Sequence, residues 1–361
     1  MLMQLPMGLL LDRFGPKKVI ASSLFMCVTG TFLLAYSGHY YLACGSRFLT
    51  GLGTAAAVIG CLKLVSIWFD KRHFASLTGL MMTVGMLGAV SGDALVQYML
   101  SFYHWQHLLL LCACFGAVLF VLITVFVRDH EDLLKGPDDH ERGAHFSDAL
   151  KTVLSKKQSW YLSLYSGLMF APVSAFSGSW GVMFLHQAYN FSSFQSAQVM
   201  SSIFYGFAIG APLWGWWSDR IQKRKVFMVY GTLAALLTAS LAIYGQGMPL
   251  SFYAVSLFLF GLFISSFVIS FTMIREIHPI VFSATAMGFM NAFNSISSAQ
   301  IVTWIGYMLD KQWKGGMLQG HRIYTLHAYH QAMFLAPLAL ILALLLLFFI
   351  RDTGAPIESV T

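Results

Sequence analysis

Charge is scarce in this sequence. Asp, Glu, Lys and Arg make up 10% of its 361 residues, against 57% hydrophobic ones. A soluble domain carries about 25% charged and 45–50% apolar residues. So few charges cannot cover a soluble globule of this length, whereas lipid removes the need for them. A mean hydropathy of +0.68 agrees. Cysteine is also sparse: Cys27, Cys44, Cys61, Cys112 and Cys114 all lie in apolar stretches. Cys112 and Cys114, two apart, fall on different faces of a helix. They read as small packing residues, which leaves no disulfide framework and no metal site. No phosphate-binding loop, haem-attachment motif or Ser/His/Asp set is present, and no histidine pair has ligand spacing inside a helix. These absences speak against an enzyme, against direct ATP drive and against any cofactor. The net charge of +7 sits mostly in short loops, so it points to membrane topology rather than to nucleic acid.

What the sequence does have is long apolar runs. A spanning helix needs roughly 20 apolar residues. Ten stretches qualify, near 19–37, 41–66, 74–99, 104–127, 158–184, 196–217, 226–246, 250–273, 283–309 and 328–350. The segment 128–157 is polar, carries charges of both signs and ends in Lys156–Lys157. It reads as a linker between two membrane halves, 1–127 and 158–350, with a tail at 351–361. Met1–Leu11 is apolar but too short to span. Its basic residues follow the apolar stretch, which argues against a signal peptide. It reads as the end of a helix whose start is missing.

Loop charges set the orientation. Of the 22 Lys and Arg, 17 fall on one side: Arg13, Lys17, Lys18, Lys71, Arg72, Arg128, Lys135, Arg142, Lys151, Lys156, Lys157, Arg220, Lys223, Arg224, Lys225, Arg275 and Arg351. Lys311, Lys314 and Arg322 fall on the other, and Arg47 and Lys63 lie within helices. The imbalance places the first group, the middle loop and the C-terminus in the cytoplasm.

Two segments match at an offset of 207 residues (215 − 8). Gly8-Leu-Leu-Leu-Asp12-Arg13-Phe-Gly15-Pro-Lys17-Lys18 aligns with Gly215-Trp-Trp-Ser-Asp219-Arg220-Ile-Gln222-Lys-Arg224-Lys225. Each copy lies between two apolar stretches. The pattern resembles the signature loop of the major facilitator superfamily, G-x-x-x-D-R-x-G-x-[KR]-[KR], which lies between helices 2 and 3 of that family with a weaker copy between helices 8 and 9. The second copy departs at Gln222, where the first has Gly15. The resemblance covers the whole chain: two halves, a long middle loop and the motif in both. It implies an all-α polytopic fold of two pseudo-symmetric six-helix halves, here about ten full spans plus a partial one. Subtracting 207 from Gln158 places the counterpart of the second half's start about 49 residues before Met1. Family helix 1 and most of helix 2 are thus expected to be missing, through a late-assigned start or a true deletion. Repeats of this kind hold substrate at their interface near the midplane.

The resemblance also suggests a gate. Gly8 and Gly215 permit close helix approach. Asp12 is expected to face the positive end of the helix starting near Ser283, and Asp219 the helix starting near Phe74. Arg13, Lys17 and Lys18 are expected to pair with acids such as Asp70, and Arg220 and Arg224 are the bases of the second copy. Such contacts bias one state of a two-state machine. The plainer reading is that these bases only set topology.

Inside the apolar helices, Arg47 sits in Ser-Arg-Phe-Leu-Thr-Gly-Leu-Gly, which resembles the family's R-x-x-x-G-x-G motif with Gly51 and Gly53 in place. Asp93 on the next helix lies within about 5 Å of it in depth at 1.5 Å per residue. Ionisable groups in a membrane are functional candidates by default. The two are read as a coupling pair, against a structural tie or a snorkelling Arg47. Lys63 reads as snorkelling. Asn291, Asn294 and Ser298 form a polar stripe that either lines a cavity or bonds between helices. Trp180, near Pro172, is a ligand or an interfacial anchor.

The reading is a secondary active transporter of a small polar solute, coupled to protons and multi-pass in a bacterial inner (plasma) membrane. Its partners are the solute, protons and the lipid bilayer, with no nucleic acid, and family analogy gives a monomer. Organic anion or amino-acid uptake, dipeptide transport and efflux compete as subtypes. The alternative is a non-transporting sensor or scaffold, or a truncated inactive carrier.

Overall fold

The computed structural model describes residues 3–128, 146–318 and 321–353. Nearly all of them are helical. Helices α1 (Gln4–Phe14), α2 (Pro16–Ala35), α3 (Tyr40–Thr54), α4 (Ala57–Trp68), α5 (Phe74–Leu100) and α6 (Trp105–Phe126) come first. After α7 (Phe146–Ser155) follow α8 (Lys157–Ala175), α9 (Gly181–Tyr189), α10 (Ser193–Ile221), α11 (Arg224–Tyr244), α12 (Leu250–Ile264) and α13 (Ile269–Glu276). The chain closes with α14 (Ser283–Lys311), a two-residue pairing of β1 (Met317–Leu318) with β2 (His321–Arg322), α15 (Leu326–Met333) and α16 (Leu335–Leu347). Most of the expected linker and tail lies outside the described residues.

The count of ten spans is not confirmed. Among the described residues, seven helical stretches are long and apolar enough to cross a membrane: Pro16–Ala35, Tyr40–Trp68, Lys71–Gly92, Trp105–Phe126, Arg224–Tyr244, Leu250–Glu276 and Leu326–Leu347. An eighth is a pair, Lys157–Gly178 and Gly181–Tyr189, bent by 58°. The other two expected spans correspond to α10 and α14, each 29 residues long. Polar residues dilute them: Gln195, Gln198, Ser201 and Ser202 in α10, and Asn291, Asn294, Ser298 and Gln300 in α14. Length alone makes them adequate; apolarity does not.

The chain forms two compact units, and neither is a continuous half. One comprises Met1–Lys71, Gly88–Lys156 and His278–Ala292; the other comprises Arg72–Leu87, Lys157–Ile277 and Phe293–Thr361. Helix α5 thus begins in the second unit, and α14 begins in the first.

In the first unit, α2 and α3 pack at backbone distance through small residues. A Cβ on Gly30 would lie 2.6 Å from Thr50 Oγ1, and one on Gly53 would strike the Ser23 carbonyl. In lipid, where apolar burial between helices gains nothing, such close approach supplies the attraction. Gly15 separates α1 from α2 with φ +82°, a conformation that suits glycine, and Pro16 then starts α2 without an N–H to satisfy.

In the second unit, Gly206, Gly210 and Gly261 bring α10 and α12 together: a Cβ on any of them would strike a carbonyl of the partner helix. The Trp214 indole N–H donates to the Leu262 carbonyl at 2.7 Å. Helix α8 runs through Pro172 into a π-helical turn at Phe176–Trp180, where the bend into α9 occurs. A proline and a wide turn together account for a sharp kink. The Trp180 indole N–H then donates to the Val302 carbonyl at 2.9 Å, with Gly306 beneath its ring.

His278 is buried in the turn before α14. Burial, and secondarily the Lys156 ammonium, lower its pKa to about 4. In the unfolded chain a histidine titrates near 6.5. Between those values the unfolded chain binds a proton that the folded chain refuses, so stability falls as pH drops from about 6.5 towards 4. Thermal unfolding at pH 7 and pH 5 checks this: the midpoint should drop in acid, and His278→Gln should shrink the drop.

Candidate functional site

The first four N–H groups of a helix have no partner within it. At the start of α14, in the first unit, Asp12 supplies two of the missing acceptors. Its Oδ1 accepts from the Ala284 N–H at 3.2 Å, and its Oδ2 accepts from the Thr285 N–H at 2.8 Å and the Thr285 hydroxyl at 2.7 Å. A carboxylate here also faces the positive end of the helix dipole. It is a cap delivered from another helix.

The charge on Asp12 is neutralised by Lys63 of α4, whose Nζ lies 2.7 Å from Oδ1. Lys63 is 1% exposed and Asp12 7%. The same ammonium donates to the Ile280 carbonyl at 2.5 Å and to Ser283 Oγ at 3.2 Å, so all three of its donors are used. Further along α1 the two helices nearly touch. A Cβ on Gly8 would lie 2.5 Å from the Ala284 carbonyl, and one on Gly288 would lie 2.6 Å from the Gln4 carbonyl. One turn on, Asn291 Nδ2 donates to Gln4 Oε1 at 2.8 Å. The contact is a ladder: acid, glycine, amide.

The second unit repeats it. Asp219 Oδ2 accepts from the Ser76 N–H at 2.8 Å and the Ser76 hydroxyl at 2.7 Å, at the start of α5. Ser76 and Thr285 are each the third residue of their helix. Gly215 abuts the Ala75 carbonyl, and Gly79 abuts Ala211 and Pro212. Pro212 has no N–H, so the Ala208 carbonyl loses its helical donor. The Thr83 hydroxyl donates to that carbonyl at 2.5 Å and closes the ladder.

The counter-charge here is Arg224, 1% exposed. Its Nη1 lies 2.7 Å from Asp219 Oδ1, and its Nη2 lies 2.9 Å from Glu276 Oε1. Asp352 accepts from the Arg224 and Lys225 N–H groups and caps α11. Gln222, where the first copy has Gly15, takes the left-handed conformation at φ 57°, and its side-chain amide donates to the Asp219 carbonyl at 2.5 Å.

The other motif bases are placed differently. Arg13 and Arg220 are exposed and stand over Phe14 and Trp216, each 5.4 Å from the ring centre. Lys17 is half-buried, and Lys18 and Asp70 are exposed. Arg47 is exposed on α3. Asp93 lies in α5, but its side chain is outside the described residues, so its pairing with Arg47 is not described. On the α14 stripe, Ser298 accepts from the Ser174 hydroxyl at 2.9 Å, and Asn294 is 3% exposed with its Oδ1 unbonded. Among the described residues, no group of three His, Cys, Asp or Glu is placed to hold a metal.

Sequence reasoning missed Lys63. It was expected to snorkel; instead it is buried, because Asp12, Ile280 and Ser283 offer it three acceptors. The usable signal was a lone lysine in an apolar helix. Thr285 and Ser76, capped from far along the chain, and Gly288, which meets the Gln4 carbonyl, were missed because nothing local marks such contacts.

The sequence matches the profile of the Major Facilitator Superfamily over residues 1–301 and 174–360. The "Probable galactarate/D-glucarate transporter GarP" of Escherichia coli is 27% identical over 148 residues, covering 39% of this chain and 32% of GarP. This chain therefore aligns with about a third of that relative. The "Probable galactarate/D-glucarate transporter GudP" of Bacillus subtilis is 24% identical over 348 residues, 85% of this chain and 74% of GudP. Among solved structures, a variant of the Escherichia coli fucose:proton symporter FucP has the same fold, with a TM-score of 0.75 at 14% identity over 96% of this chain and 87% of that one.

The glycine ladder gives a direct test. Gly8→Val places side-chain atoms where Ala284 and Thr285 already are, whereas nothing lies within 4 Å of a Cβ on Gly51. Gly8→Val should lower the thermal midpoint of the purified protein by several degrees, an overpacking cost of about 1–3 kcal/mol. Gly51→Val should leave it nearly unchanged.

Proposed function

We propose, from the premise that this chain belongs to the Major Facilitator Superfamily, that it is a secondary active transporter of small carboxylate solutes that works by alternating access. The observation that carries the reading is the paired acid-capped helix start, Asp12 on α14 and Asp219 on α5. Two ladders of the same design, each built on a helix end and a glycine contact, suit a device that closes as a unit and parts as a unit. Packed contacts of this kind are bistable rather than continuously deformable.

The relatives favour an anionic solute. GarP and GudP are named for galactarate and D-glucarate, both of which are dicarboxylates. Organic-anion uptake is therefore preferred to dipeptide transport or efflux. Proton coupling is assigned to Asp93, an acid in an apolar helix, with Arg47 as its electrostatic neighbour. The reading keeps two membrane halves, 1–127 and 158–350, joined by a cytoplasmic linker in a monomer. The C-terminal tail is cytoplasmic.

The test is uptake of labelled D-glucarate by cells producing the chain, normalised to folded protein in the membrane. Unlabelled galactarate should compete and fucose should not. Asp12→Asn and Asp219→Asn should each lower uptake about tenfold, the effect of losing roughly 1.4 kcal/mol from the closed state. Asp93→Asn should flatten the dependence on external pH. Folded protein that moves no acid above background would support the scaffold reading instead. Uptake by Asp12→Asn at the parent rate would remove the gate.

A further inference from the structure

The two ladders match in their acids, hydroxyls and glycines but differ in the cation. For Asp219 the cation is Arg224, a base of the repeated motif itself. The position equivalent to Arg224 in the first copy is Lys17 (224 − 207), yet Asp12 Oδ1 is held at 2.7 Å by Lys63 of α4. We propose that Lys63 is the counter-cation of the first lock: a positioning residue that holds Asp12 against the opening of α14, in the role that Arg224 fills for Asp219.

Three features support the assignment. Lys63 is 1% exposed, and a buried ammonium needs a partner charge. Its three donors go to Asp12 Oδ1, the Ile280 carbonyl and Ser283 Oγ, so one charge binds both the capping acid and the turn that leads into the capped helix. Three acceptors around one point suit a compact ammonium, whereas Arg224, with Asp219 and Ser218 on one nitrogen and Glu276 on the other, uses the fork of a guanidinium. Lys63 therefore acts on α14 through Asp12 as well as directly.

The assignment makes Lys63 and Asp12 one energetic unit. Without Lys63, the carboxylate keeps its amide donors but loses its charge partner. Without Asp12 as well, no buried charge remains. Residues that act as a unit show non-additive effects in a double-mutant cycle. Lys63 and Asp219 share no partner and should behave independently.

Backbone hydrogen exchange of the purified chain in detergent reads this without any substrate. In Lys63→Met, amides in the segment 283–292 should exchange at least tenfold faster, while the segment 74–83 keeps its rate. Asp12→Asn with Lys63→Met should exchange no faster than Asp12→Asn alone. Arg224→Met should do the converse, loosening 74–83 and sparing 283–292. An unchanged 283–292 in Lys63→Met, additive effects of the pair, or equal loosening of both segments would overturn the proposal. If Lys63→Met alone does not fold, the double variant decides: recovery of folded protein supports the pairing, and failure to recover overturns it.

The bearing of Lys63 on transport rests on the gate reading above, and the two fail separately. Coupled exchange in a chain whose Asp12→Asn variant transports at the parent rate would retain Lys63 as the counter-cation and discard the gate. An impaired Asp12→Asn with uncoupled exchange would do the reverse.

Discussion

A helix that starts away from water leaves N–H groups that something else must satisfy, and in this chain a distant carboxylate does so twice. Asp12 reaches Ala284 and Thr285, and Asp219 reaches Ser76. Much else follows from these contacts. The acid must arrive within hydrogen-bonding distance of a backbone, so the helix that carries it must lie against the helix it caps. Only glycine allows that, which is why Gly8 and Gly215 stand one turn before each acid. The acid is then buried, so it needs a buried cation. Cap, glycine and cation are successive consequences of one unsatisfied helix end.

The same constraint governs the rest of the backbone. In a bilayer every N–H and carbonyl must be satisfied within the protein, and broken helices survive only where neighbours supply the lost bonds. Pro212 frees the Ala208 carbonyl and Thr83 of α5 takes it up. At the end of the π turn in the bent α8–α9 pair, the Trp180 indole reaches across to the Val302 carbonyl. Thr83 and Trp180 are thus polar side chains committed to contact between helices. The α14 stripe shows it: Asn291 and Ser298 each bond to a neighbouring helix. Asn294, buried between them in sequence with an unbonded oxygen, is the member of the stripe not accounted for in this way.

How much of this was legible depended on whether the signal was local. Scarce charge and long apolar runs gave the helical membrane class directly. The 207-residue repeat gave both acids, and the dipole argument pointed each towards a helix start. The number of spans differs because α10 and α14, although 29 residues long, carry enough Gln, Ser and Asn to dilute their apolar character. Lys63 was misread for a different reason. Snorkelling is the ordinary fate of a lysine near a helix end, and only the fold shows that Asp12, 51 positions away, is beside it. Arg224 reads in the sequence both as a loop charge and as a motif base, but nothing local shows that it is buried among Asp219, Ser218 and Glu276.

The differences between the two copies follow a rule. Features without a substitute are kept in both: a carboxylate to accept from N–H groups, a hydroxyl at the third helical position, and a glycine where backbones touch. Features that can be supplied another way have diverged. A left-handed residue after the first helix is Gly15 in one copy. In the other it is Gln222, whose side-chain bond to the Asp219 carbonyl helps offset the roughly 1–2 kcal/mol cost of that conformation. A positive charge beside the acid can come from any element that reaches it, so it comes from α4 in one copy and from the motif in the other. Seen this way, the bases of the signature loop are not one functional group. Arg224 balances a buried charge, while Arg13 and Arg220 lie exposed over aromatic rings.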